Sequence, residues 1–182
     1  AVVMAAPAGA VIWLRGGTYN GAYVSELIGQ KGAPIVVRQF PGERAILDGC
    51  IQPPTVEPTL LVKGEYTWFW GFEITNCEKK RITRLSGPDP ADIFLGTGVD
   101  VRGTDIKLIN LAIHDTGGGI GAWTSAKRTE LSGNIVYYNG FDGPERGHGH
   151  GIYVQNELGP KHLINNIVFD QFGSGIHAYG EK

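Results

Sequence analysis

Five stretches of the chain share one order of apolar and polar positions: apolar, variable, apolar or small, variable. They are Leu60-Leu61-Val62-Lys63, Val99-Asp100-Val101-Arg102, Ile120-Gly121-Ala122-Trp123, Ile152-Tyr153-Val154-Gln155 and Ile176-His177-Ala178-Tyr179. Alternation with a period of two marks strands that bury one face. The first four stretches are each followed by a second apolar segment, starting at Phe69, Leu108, Leu131 and Leu163. The third and fourth stretches stand at the same offset from these partners, eleven residues. Successive starts lie 39, 21, 32 and 24 residues apart, a unit of a little over twenty residues lengthened by two insertions. The second segments, such as Leu131-Ser132-Gly133-Asn134-Ile135-Val136, are short and rich in β-branched residues, so they read as strands, and no stretch sustains helical periodicity.

A repeat of this length predicts a solenoid. Two or three short strands per repeat, joined by turns of Gly, Asn and Asp, stack in parallel on the coils above and below at about 4.8 Å. The predicted fold is all-β: a parallel β-helix of about five to six coils in a single domain over residues 1–182, with N-terminal coils over about 1–59 and regular coils over about 60–182. Its 28 Gly and 10 Pro are spread along the chain, as a turn-rich solenoid requires. Asn110 and Asn165, with Asn134 and Asn166 one place on, are expected to bond backbone at the corners. Aligning Ala45-Ile46-Leu47-Asp48 with Glu73-Ile74-Thr75-Asn76 brings Cys50 and Cys77 near one corner of adjacent coils. A disulfide is conceivable there, since Cα atoms about 5 to 6 Å apart suit the bond; two unpaired buried thiols are the favoured alternative.

The residues resemble a known family, the right-handed parallel β-helix proteins of the pectin-lyase-like superfamily. Ala8-Gly9-Ala10-Val11-Ile12-Trp13-Leu14-Arg15-Gly16-Gly17-Thr18-Tyr19 is similar to the opening segment of many such proteins, and Gly147-His148-Gly149-His150-Gly151-Ile152-Tyr153 and Gly175-Ile176-His177 resemble their repeat turns. The resemblance implies a right-handed coil and an extracellular or periplasmic setting. It spans polysaccharide lyases, glycoside hydrolases, epimerases, phage tailspikes and adhesins, so it does not choose an activity. The net charge of −2 speaks against a nucleic-acid partner. With no run of eighteen apolar residues, no membrane span is expected. A chain that stops just after a repeat strand is expected to leave an open C-terminal end, to be covered by further coils of the same protein or by a stacked partner.

Alternation sends the second and fourth residue of each stretch to solvent. One outward column reads Leu61, Asp100, Gly121, Tyr153, His177, and its neighbour Lys63, Arg102, Trp123, Gln155, Tyr179. Both insertions fall at one corner, between residues 76 and 98 and between 139 and 150, so they predict two walls beside a gap floored by Gly121 and Trp123. Such a strip predicts a polysaccharide-binding floor, with Asp100, Arg102, Trp123, Gln155, Tyr179 and Arg146 as binding residues. For proton transfer the candidates are His148, His150, Tyr153 and His177.

Three chemistries fit. β-Elimination from an acidic polysaccharide needs a base, an acid and a cation on the substrate carboxylate. Hydrolysis needs two carboxylates at a set separation, from Asp100, Asp115, Asp142 or Glu145. A metal site, with calcium or another divalent cation as cofactor, would draw on Asp142, Glu145, His148 and His150. Lys79, Lys80, Arg81 and Arg84 of the first insertion predict a cationic wall, while His114 and His162 read as structural. The expected function is a carbohydrate-active β-helix, polysaccharide lyase or hydrolase if it is an enzyme; the alternative is a non-catalytic adhesin, tail-fibre or scaffold module.

Overall fold

The computed structural model describes residues 6–52, 54–157 and 159–180. Six coils follow one another, each built from three strands. The first holds β1 (Val11–Leu14), β2 (Gly17–Asn20) and β3 (Tyr23–Ser25), and the second β4 (Ile35–Gln39), β5 (Ala45–Asp48) and β6 (Leu60–Val62). The third holds β7 (Thr67–Trp70), β8 (Glu73–Thr75) and β9 (Thr97–Val101), and the fourth β10 (Lys107–Ile109), β11 (Ala112–His114) and β12 (Gly118–Ala122). In the fifth, β13 (Glu130–Ser132) and β14 (Ile135–Tyr137) are separated from β17 (Ile152–Asn156) by a small hairpin, β15 (Phe141–Asp142) and β16 (Gly147–His148). The sixth holds β18 (His162–Ile164), β19 (Ile167–Phe169) and β20 (Ile176–Gly180).

Corresponding strands pair in parallel into three six-stranded sheets. The first sheet is β1-β4-β7-β10-β13-β18, the second β2-β5-β8-β11-β14-β19 and the third β3-β6-β9-β12-β17-β20. Register keeps like positions stacked. Leu108 stands between Phe69 and Leu131, and Ile113 between Ile74 and Val136. Ile120 stands between Val99 and Ile152. These side chains are fully or almost fully buried. Each such Ile or Leu stabilises the coil by roughly 1.5–3 kcal/mol relative to exposure, and a one-residue slip would turn the whole set outward.

The corner between the first and second sheets is built for tightness. In the last four coils it is two residues long, and the first of the two, Gly71, Asn110, Gly133 or Asn165, takes a positive φ of 50–79°. At Gly133 a β-carbon would also stand 2.2 Å from Asn110 Oδ1, so any other residue there would have to displace that side chain. The second residue turns inward. Asn134 Oδ1 accepts from Leu111 N (3.0 Å), and its Nδ2 donates to Leu108 O (3.0 Å) and Asn166 Oδ1 (2.9 Å). Asn166 repeats the bond to Leu131 O. The expected backbone bonding therefore belongs to Asn134 and Asn166, whereas Asn110 and Asn165 serve through their left-handed backbone.

Three further readings are corrected. Ile46 pairs with Glu73 and Leu47 with Ile74, one place off the alignment made from sequence, because Ala45, Ile46 and Leu47 are all apolar and hide the alternation. The true register sets Cys50 opposite Cys77, and they form a disulfide with Cα atoms 5.2 Å apart, not two thiols. The corner between the second and third sheets carries a third long connection, residues 49–59, besides 76–96 and 138–151. No helix of the described residues is long and apolar enough to cross a membrane.

Candidate functional site

The outward columns of the third sheet stand as the alternation requires: Asp100, Gly121, Tyr153 and His177 in one register, Gln155 beside Tyr179 in the other. The two large connections rise over them but are not separate walls. Residue Ile82 forms a parallel bridge with Asp142, with Asp142 N donating to Arg81 O (2.7 Å) and Thr83 N to Asp142 O (2.9 Å). The Gly87 N–H donates to Glu145 Oε1 at 2.8 Å. Ile93 and Leu95 of one connection and Phe141 of the other form a small apolar core of their own. A cavity of about 440 Å³ opens between this joined structure and the sheet. Gly118, Gly121 and Trp123 line its floor, with Arg146, His150 and Tyr153 at the side.

Three of the four proton-transfer candidates converge. His150 stacks on Tyr153 (5.4 Å between ring centroids, 19° between planes) and meets His177 edge-on at 4.9 Å. Tyr153 and His177 are 5.1 Å apart. Burial first, then the neighbouring His177 and Arg146, push the His150 pKa below the ordinary imidazole value. Its Nδ1 is buried and bonds to nothing among the described residues. Arg146 lines the same cavity and has no ion-pair partner among the described residues. Gln155 Nε2 donates to the Tyr153 hydroxyl at 3.1 Å, leaving the phenolic proton free to be given away.

His148 also borders the cavity but does not join this cluster. It is 4% exposed, stacks on Phe141 at 4.9 Å and bonds Glu145 Oε1 through Nε2 at 2.8 Å. Gly149, whose φ of 90° turns the backbone between the two histidines, gives their rings different partners. Glu145, held below the usual carboxylate range by the Gly87 N–H and by His148 against the opposing effect of burial, ties the two connections together. Asp142, Glu145, His148 and His150 are therefore not assembled as metal donors. Among the described residues, the donors close enough to share an ion are those of Asp48, Cys50 and Cys77, and both sulfurs are in the disulfide.

The binding candidates are drawn into contacts with one another. Asp100 accepts from Trp123 Nε1 and from Arg102 (3.1 Å to Nε and to Nη2), while the Arg102 guanidinium lies 4.4 Å over the Trp123 ring. Trp123 lines the cavity and stands 5.4 Å from Tyr153 between ring centroids. Tyr179 is exposed on the last coil, outside the cavity. Two of the four cations of the predicted wall are engaged elsewhere: Arg81 is buried and donates to the carbonyls of Glu78 and Asp115, and Lys80 pairs with Asp92 at 2.6 Å. Of the carboxylates considered for hydrolysis, Asp100, Asp115 and Glu145 are each held by other side chains. His114, between Asp115 (2.8 Å) and Glu73 (3.2 Å) and stacked on Tyr137, sits on the second sheet away from the cavity.

No protein-family model and no curated protein matches the chain. Among solved structures it is similar to the crystal structure of pectate lyase Pel9A, with a TM-score of 0.71 and 21% identity over 94% of this chain. The fold is the right-handed parallel β-helix. An alginate lyase from Paenibacillus sp. str. FPU-7 has the same β-helix, with a TM-score of 0.66 and 18% identity over 91% of this chain. The chain spans 42% and 57% of the length of those two β-helix proteins.

Sequence reasoning missed the far wall of the cavity. Val56 reaches it from residues 49–59, where no outward repeat signals a third loop, and Asp89 from the Gly87-Pro88-Asp89-Pro90 segment. The two prolines flanking Asp89 were the available signal, since they fix backbone and so fix a carboxylate.

Proposed function

We propose that the protein is a carbohydrate-active β-helix that binds a carboxylated polysaccharide in the cavity over the third sheet and cleaves it by β-elimination. One observation carries the reading: His150, packed against Tyr153 and His177, lines the cavity beside an Arg146 that has no ion-pair partner among the described residues. The depressed pKa keeps this imidazole neutral near pH 7, the form a base needs.

In the proposed reaction Arg146 pairs with the uronate carboxylate through its forked donors, which makes the adjacent C–H acidic. His150 removes that proton, the electron pair forms a C=C bond, and the glycosidic C–O bond breaks. Tyr153 or His177 returns a proton to the leaving oxygen. Trp123 offers an apolar face to a neighbouring sugar ring. The two similar structures, a pectate lyase and an alginate lyase by name, favour a polyuronate over a neutral glycan. The disulfide favours an extracellular or periplasmic setting.

The test is incubation with polyuronates and neutral polysaccharides, following the absorbance of unsaturated ends and, separately, new reducing ends. Unsaturated products support the reading, and reducing ends alone make the protein a hydrolase. Binding with no turnover leaves a glycan-binding module. In a lyase, His150→Ala lowers kcat by roughly 10²–10⁴-fold. The acidic limb of the wild-type kcat/KM profile falls below about pH 6.5, because the base works once deprotonated and its pKa is depressed.

A further inference from the structure

Three of the four tryptophans are far from this cavity, on the outward face of the first sheet. Trp13, Arg38 and Trp70 stand in one register on consecutive coils. The Arg38 guanidinium lies over both indoles, 5.1 Å from one ring centroid and 4.2 Å from the other. Trp68 stands on the same face, under Lys107. The other cations here are neutralised: Lys107 by Glu130 at 2.8 Å, and Arg15, which lies over Phe40, by Glu43 at 2.6 Å. Arg38 has no carboxylate and no hydrogen bond from its side chain among the described residues, and its Nε is buried without a partner. Two aromatic rings thus flank a five-donor cation whose donors have no protein partner among the described residues.

We propose that this face is a second polysaccharide-binding site, in which Arg38 takes the carboxylate of a uronate residue and the surrounding indoles contact its ring. Stacking between two rings holds the guanidinium flat and lowers the ordering cost of a bidentate contact, and charge-assisted pairs of this kind are the strong ones. Trp13 and Trp70 are two coils apart, about 9.6 Å at 4.8 Å per coil, a span that a disaccharide bridges. Trp13 is 43% exposed and free to make that contact. The site lies on a different sheet from the cavity, so a long chain occupies both and the second site holds polymer near the first. The choice of a glycan as carrier of the carboxylate rests on the proposed function; the anion site itself does not.

Calorimetric titration with a galacturonate hexamer tests it, using His150→Ala protein so that nothing is cleaved. Two sites are expected, falling to one in His150→Ala/Arg38→Gln, with the lost site at least about tenfold weaker. Trp13→Ala, at an exposed position that leaves the fold intact, weakens the same site and reduces its tryptophan fluorescence change. Arg38→Gln in the active protein leaves turnover of short oligomers unchanged and lowers turnover of polymer. An unchanged stoichiometry in the Arg38→Gln protein, or equal binding of a neutral maltohexaose, overturns the proposal. If the wild-type protein cleaves nothing while Arg38-dependent binding persists, the cavity reading fails and this site stands.

Discussion

The two corners that flank the second sheet solve the same backbone problem in opposite ways. Between the first and second sheets the turn is two residues in five of the six coils. Between the second and third it ranges from the two residues 21–22 to the twenty-one of 76–96. Both are stapled by inward amides: Asn134 and Asn166 at the first, and at the second Asn139, which accepts from Thr116 N (3.1 Å) and Oγ1 (2.7 Å) and donates to Gln171 Oε1 (3.1 Å). At the second corner the staple sits at or beside the residue where the chain leaves the coil. Length can then vary outside it without disturbing the stack, and the site's walls are made from that freedom.

An insertion breaks the comparison most severely. One residue added between Gly133 and Asn134 turns the inward positions of the following strand outward and should leave no cooperative unfolding transition. The same single residue added between Leu85 and Ser86, both exposed, should cost well under about 1 kcal/mol, since loop closure grows slowly with length. Circular dichroism melts of the pair decide it. Asn134→Ala comes next: it strands Leu111 N and Leu108 O in the core, at about 2 kcal/mol each, for a loss near ~4 kcal/mol in urea unfolding. Cys50→Ser sharpens the other side, because the disulfide ties residues 49–59 to 76–96 across a separation of 27. Stability should fall by about 3 kcal/mol, and dithiothreitol should do the same to the wild-type protein but nothing to the variant.

The regular part of this architecture was legible because its inward positions are strictly periodic. Val99, Ile120 and Ile152 have no alternative partner in such a stack. Legibility failed where side chains broke the binary code. Glu73 faces outward yet is 9% exposed, covered by Arg44 and His114, while Ile46 is apolar on the same outward register; together they shifted one alignment by a residue. At the site, the outward columns followed from strand geometry, so Tyr153 and His177 were found together. The partners of His148 and Arg81 were not legible, because loop residues obey no period. Their positions follow from Gly149's left-handed backbone and from carbonyls presented by residues 78 and 115, which no spacing rule reveals.

The bridge between Ile82 and Asp142 reaches beyond shaping a cavity. Two segments sixty residues apart in sequence exchange backbone bonds, share the apolar trio Ile93, Leu95 and Phe141, and meet again at Gly87 and Glu145. Their amides should exchange with deuterium at a common rate, opening as one cooperative unit distinct from the coils beneath. Transplanting either segment alone into another solenoid would carry half a structure.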